Sequence, residues 1–157
     1  MHSTQKGGNW YFGMKSHIGV DADSGLVHTV IGTAANVHDT TVAQALLHGK
    51  ETDVYADAGY QGIEKHCEAE AVRWHVAMRP GKRRLLDLSD PLDAIHDQIE
   101  QLKAGIRAKV EHPFRVIKRQ FGYAKTRYRG LMKNTAQITT LFALSNLWMA
   151  RRALRNA

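Results

Sequence analysis

Apolar and polar residues alternate along positions 11–20, with Phe12, Met14, Ile18 and Val20 on one side and Gly13, Lys15, His17 and Gly19 on the other. A two-residue period of this kind predicts a strand with one buried face. Asp21-Ala22-Asp23-Ser24-Gly25 follows, with side chains that cap local backbone and a glycine free to take positive φ, so the chain should turn here. Positions 26–33 form a second β-rich run, and the two runs together predict a hairpin.

After Asn36-Val37-His38 the period lengthens. Asp39 suits a helix N-cap, Val42, Ala45 and Leu46 recur at helical spacing, and Gly49 suits the position just past a helix end. Positions 53–60 predict a short strand closing in a glycine-containing turn. A helix over about 62–73, a strand around 75–78 and a loop at Pro80-Gly81-Lys82-Arg83-Arg84 should follow. Leu92, Ile95, Ile99, Leu102 and Ile106 mark a helix from about Pro91, which Pro113 should kink or restart. A last helix should open at Asn134-Thr135 and run through Ile138, Leu141, Phe142, Ser145, Trp148 and Met149. The resulting order, with a helical end over about 91–155, is an α/β layout, and 157 residues fit a single domain. Trp10, Tyr11, Phe12, Trp74 and Trp148 are expected to fill core and hairpin faces.

Composition narrows the function. Apolar residues make up 43% and charged residues 24%, ordinary values for a globular protein, and no apolar run is long enough to span a membrane. The N-terminal residues carry no secretory signal, and the lone Cys67 has no partner for a disulfide or a cysteine-rich zinc site, so a cytoplasmic protein is expected. His38 with Asp39, and His66 with Cys67, are adjacent pairs without metal-ligand spacing. The net charge is +7 and the isoelectric point about 9.7. Between Arg79 and Lys133, 14 Lys/Arg face 6 Asp/Glu, so this stretch accounts for the whole excess. Such clustering points to nucleic acid, with a solvated basic face as the alternative.

Two carboxylates stand out. Asp57 closes a predicted strand, and ligand crevices of open α/β sheets lie at the C-terminal ends of strands, although an Asp there also serves as a turn or cap residue. Glu111 shares a helix face with Arg107, Arg115 and Lys118, each within about 40° of it at 100° per residue. This cluster reads either as a salt-bridge stripe or as a phosphate-docking face, since one Glu cannot neutralise three cations. Arg127 and Arg129 alternate with Tyr128 in a loop that suits either a DNA backbone or a plain surface.

Together these residues form a recognisable pattern. Asp57 within Tyr55-Ala56-Asp57-Ala58-Gly59-Tyr60-Gln61-Gly62 resembles the second acidic residue of a DDE transposase. Arg107, Glu111 and Lys118, separated by three and six residues, are similar to the Arg-Glu-Lys signature of the insertion-sequence-four and insertion-sequence-five groups. The Tyr that usually stands three positions before the Arg is Ala104 here. Asn9-Trp10-Tyr11-Phe12-Gly13-Met14-Lys15, His17-Ile18-Gly19-Val20-Asp21, Ala35-Asn36-Val37-His38-Asp39, Arg79-Pro80-Gly81-Lys82-Arg83 and Leu144-Ser145-Asn146-Leu147 agree as well, so the resemblance to the insertion-sequence-five group covers nearly the whole chain.

The resemblance implies an RNase H-like mixed sheet of five strands with flanking helices. It also implies two Mg²⁺ ions, with Mn²⁺ as substitute, held by two Asp and one Glu. Carried over, Asp57 and Glu111 are the metal ligands. Arg107 and Lys118 contact transposon-end DNA, and the helical face adds Arg115. The activity implied is DNA strand cleavage and strand transfer at insertion-sequence ends by a homo-oligomeric bacterial, nucleoid-associated enzyme. In the family the first Asp sits on a strand ahead of the segment that opens this chain. The first strand and its Asp are therefore expected to be missing, with Met1 an internal methionine of a longer transposase. On that expectation residues 1–157 form a partial domain that binds DNA weakly without cleaving it, either as a remnant or as a modulator of the full-length protein. A nuclease for RNA or for Holliday junctions is a weaker alternative.

Overall fold

The computed structural model describes residues 1–65 and 72–156. Backbone contacts group the chain into two units, Met1–His38 with Val110–Ala157, and Asp39–Lys109.

The first unit holds a three-stranded antiparallel sheet in the order β1 (His2–Lys6), β2 (Asn9–Val20), β3 (Val27–Ala34). The expected hairpin is β2–β3, closed by Asp21, whose Oδ1 accepts from the backbone N–H and hydroxyl of Ser24 at 2.6 Å each. β1 was not foreseen. It pairs with the other half of β2, from His2 opposite Gly13 to Lys6 opposite Asn9, through a two-residue turn in which Gly7 and Gly8 have φ of 56° and 81°. Both values are positive, as a tight hairpin turn requires and as glycine permits.

α3 (Leu131–Arg155) starts three residues ahead of the expected Asn134. Asn134 is fully buried. Its Nδ2 donates to the carbonyls of Tyr128 and Gly130 at 2.6 and 2.7 Å, and its Oδ1 accepts from the Tyr128 N–H at 3.1 Å. Asn146 bonds both backbone groups of Val27, accepting from its N–H at 2.9 Å and donating to its carbonyl at 2.7 Å, as a neighbouring strand does. The core beneath joins Val27, Ile138 and Phe142 to Ile117 of α2 (Pro91–Arg119), with Phe114 edge-on to Phe142 at 5.1 Å. α2 runs unbroken through Pro113 instead of restarting there. A proline inside a helix costs about 3 kcal/mol, and here the proline is buried in the same turn as Phe114 and Ile117.

Several aromatic expectations fail. Trp10, Tyr11 and Phe12 are exposed, because the core takes in Ile18 and Val20 of β2 and stops short of the half paired with β1. Trp148 is also exposed, with the Arg151 guanidinium 4.2 Å from its ring centre. Trp74 is half-buried. His17, placed on the polar side of β2 by alternation, is buried and bonds Thr33 Oγ1 at 2.8 Å.

The second unit holds a parallel pair, β4 (Asp53–Ala56) and β5 (Arg73–Val76). The helix expected over 39–49 is two 3-10 turns, Asp39–Val42 and Gln44–Leu46, as the β-branched Thr40, Thr41 and Val42 disfavour a full helix. Of the helix expected over 62–73, one 3-10 turn is seen, Ile63–Lys65, while residues 66–71, including His66 and Cys67, lie outside the described residues. The expected loop at 80–84 contains one helical turn, α1 (Pro80–Arg83), with proline at its start.

Two polar devices hold the short ladder. At its start Asp53 accepts from Arg73 and pairs with His75, both at 2.8 Å, and these partners hold its carboxyl well below the usual range. At its end α2 supplies side chains to the backbone. Glu100 accepts from the Met78 N–H at 2.8 Å, Lys103 donates to the Val76 carbonyl at 3.1 Å, and the two side chains bridge at 2.8 Å. Arg83 of α1 binds Asp97 of α2 at 2.6 Å.

Close packing of α3 on β3 fixes one glycine. A Cβ on Gly32 would collide with Thr135 Oγ1 and lie 2.9 Å from the Met14 methyl, whereas a Cβ on Gly13 meets nothing within 4 Å. Gly32→Ala should therefore destabilise the protein by about 2 kcal/mol through overpacking, and Gly13→Ala should leave it unchanged or slightly more stable. Urea unfolding midpoints of the two variants check this, and equal midpoints would remove the steric argument.

Candidate functional site

Asp57 lies one residue past the end of β4, where the strand gives way to the 3-10 turn Ala58–Tyr60. Its side chain caps that turn, Oδ1 accepting from the Gly59 N–H at 2.8 Å, and the residue is exposed. The cap reading of Asp57 is thus realised, and it leaves Oδ2 free of that bond. A second carboxylate stands beside it. An ideal Cβ on Gly59 would lie 2.9 Å from Asp57 Oδ1 and 2.9 Å from Asp39 Oδ2, so both side chains converge on the bare face of this glycine. Asp39, read from sequence as a helix N-cap, instead opens a 3-10 turn next to Asp57. The signal was present, since Asp39 ends one of the recognisable segments, but only the fold brings it to Gly59.

Tyr60 records the electrostatics of the pair. Burial, and then the negative charges of Asp39 and Asp57, push its phenol up to about 12 from an ordinary 10.0. Carboxylate oxygens brought together in this way, with Asp57 exposed and Asp39 half-buried, are of the type that suits a hard cation.

The remaining predicted residues lie on α2 and after it. Arg107, Glu111, Arg115 and Lys118 share one continuous helix, so the sequence-derived face is realised, with Arg107 half-buried and the other three exposed. Among the described residues none of the three cations pairs with Glu111. The salt-bridge stripe is therefore not what this face forms. Elsewhere in the basic stretch the acids are engaged, Asp97 with Arg83 and Glu100 with Lys103. Arg127 and Arg129 are exposed between α2 and α3, and Arg127 donates to the Gly122 carbonyl at 3.3 Å. No helix among the described residues is long and apolar enough to cross a membrane.

The convergence on Gly59 has a spectroscopic consequence. Of the five tyrosines, Tyr60 should ionise near pH 12 and should do so earlier in Asp39→Asn or Asp57→Asn. The folded value lies above the unfolded one, so the contribution of the neutral phenol to stability is intact below pH 10 and is lost as pH rises toward 12. Ultraviolet titration of the phenolates is the check, and an unchanged Tyr60 titration in both variants would separate it from the carboxylates.

No solved structure matches the chain. The Transposase DDE domain family matches residues 1–147, all but the last ten residues of the sequence. The chain belongs to the DDE transposase family.

Proposed function

We propose that this chain is part of an insertion-sequence-five-type transposase that cuts and rejoins DNA at insertion-sequence ends, on a sheet of RNase H-like type. The observation that carries the reading is the pair of carboxylates, Asp39 and Asp57, converging on Gly59 at the C-terminal end of a parallel strand. Ligand sites of α/β sheets form at such ends. The donor set fits Mg²⁺, or Mn²⁺ in its place, since both take hard carboxylate oxygens.

In this reading Asp57 and Glu111 are the family's metal ligands, and Asp39 adds a donor next to Asp57. Bound divalent ions would supply Lewis-acid stabilisation of the attacking and leaving oxygens of a phosphodiester. The side chains do the rest. Arg107, Arg115 and Lys118, free of Glu111, neutralise backbone phosphates and hold the strand along the helix face. Arg127 and Arg129 extend the basic surface, and Gly59 keeps the space between the carboxylates open, since a methyl there would touch both.

The unpaired cations also favour a second reading, in which the chain binds DNA without cutting it and modulates a homo-oligomeric parent enzyme. Anisotropy titrations of insertion-sequence-end DNA at several salt concentrations test the shared part. Arg107→Ala, Arg115→Ala and Lys118→Ala should each weaken all sequences alike and reduce the salt slope by about one. A nicking assay with Mg²⁺ separates the readings. Nicking that is lost in Asp57→Asn supports the enzyme, binding without nicking supports the modulator, and absence of binding at low salt contradicts both.

A further inference from the structure

The ribbon of β1 and β2 carries three consecutive aromatic side chains that the core does not use. Trp10 is 71% exposed, Phe12 70% and Tyr11 54%. Directly opposed residues of an antiparallel pair share a face. Trp10 and Phe12 therefore stand on one face with Gln5 and Ser3, and Tyr11 stands on the other with Thr4. Ser3 and Gln5 are themselves exposed and leave the two rings uncovered. Around the turn, a Cβ built on Gly7, Gly8 or Gly13 meets nothing within 4 Å, so the backbone there borders open space. The twenty residues through Val20 include Lys6 and Lys15 and no Asp or Glu.

We infer that this ribbon is a stacking platform for the unpaired bases of single-stranded DNA. The inference deepens the DNA-binding reading above and rests on it for the choice of DNA over RNA. Exposed aromatic rings on a surface without carboxylates are what a single strand needs, since rings take the base faces and nothing repels the phosphates. Spacing supports the match. Residues two apart on a strand are separated by about 6.8 Å, twice the roughly 3.4 Å that one base occupies in a stack. A base seated between Trp10 and Phe12 would meet a ring on each of its faces. Paired bases in a duplex already cover one another, so the rings suit bases freed from pairing. The two-sided display argues against a protein partner, because a flat protein surface would cover Trp10 and Phe12 or Tyr11, and not both sides. A single strand is thin and flexible enough to reach both.

The test compares two labelled strands of about 12 nucleotides, one of thymidines and one of abasic residues with the same phosphates, by anisotropy with the 157-residue chain. The thymidine strand should bind about fivefold or more tightly, the gain that one stacked base supplies. Trp10→Ala and Phe12→Ala, at exposed positions, should each reduce that preference, and the double substitution should abolish it with circular dichroism unchanged. Trp10→Phe should keep it. The salt slope should stay the same in all of these, because no phosphate contact is removed, whereas Arg115→Ala lowers it. Equal affinity of the unsubstituted chain for the two strands overturns the inference and leaves phosphate binding by α2 standing. Failure to bind either strand at low salt overturns both. A preference that survives the double substitution places the bases elsewhere and overturns it, as does a ribonucleotide strand bound more tightly than the thymidine strand. A double variant with altered molecular mass and unaltered base preference marks the ribbon as a protein contact and overturns it likewise.

Discussion

The second unit depends on two side chains of α2 that finish a strand they do not belong to. β4 and β5 pair over only four residues each, too short a ladder to hold itself in water. Beyond its last rung the backbone of β5 still carries polar groups that must be satisfied. Glu100 takes the Met78 N–H and Lys103 the Val76 carbonyl, and the bridge between them satisfies what remains of both charges. Burial pushes the Glu100 carboxyl up, but Lys103, the Met78 N–H and Arg83 outweigh it and hold the carboxyl below its ordinary value. The polar face of α2 must therefore point inward. That constraint holds the end of the ladder from which Asp57 projects, and it turns Leu92, Ile95, Ile99 and Leu102 outward.

The first unit solves the same problem with amides. Asn146 acts as an extra rung for Val27, and Asn134 gathers three backbone groups of the segment before α3. Neutral hydrogen bonds suffice there because Phe142, Ile138 and Ile117 supply the burial. Arg115, Lys118 and Glu111 remain exposed, and a helix face with surplus positive charge around one carboxylate is compatible with both phosphate and metal.

Much of this was legible in the sequence, and the failures have physical causes. The hairpin β2–β3 followed from alternation and the Asp21 turn, and both long helices followed from three-and-four spacing. β1 was missed although Gly7-Gly8 signalled a hairpin turn, because no apolar alternation accompanies it on a strand exposed along most of its length. Pro113 does not restart the helix, because the core that packs around it lies outside any local propensity. The fate of Trp10 and Phe12 depended on where the core ends, which no local pattern records. Among the residues of the proposed function, Asp57 and the α2 cations were singled out from their own segments. Asp39 was not, since its proximity to Asp57 arises across eighteen residues and through a glycine whose only contribution is to leave space. Glu100 and Lys103 were invisible for a related reason: on a helical wheel they look like a solvated face, and only the unfinished end of β5 makes that face the inner one.

Amide hydrogen exchange at Met78 addresses that constraint most directly. With Glu100 replaced by Met, similar in size but unable to accept the bond, the Met78 amide should exchange roughly tenfold faster or more, given about 1.4 kcal/mol or more lost with a charged acceptor. Amides of β3 and α3 in the other unit should keep their protection. Unchanged exchange at Met78, with Glu100 replaced and the protein folded, would contradict the view that α2 holds the end of β5.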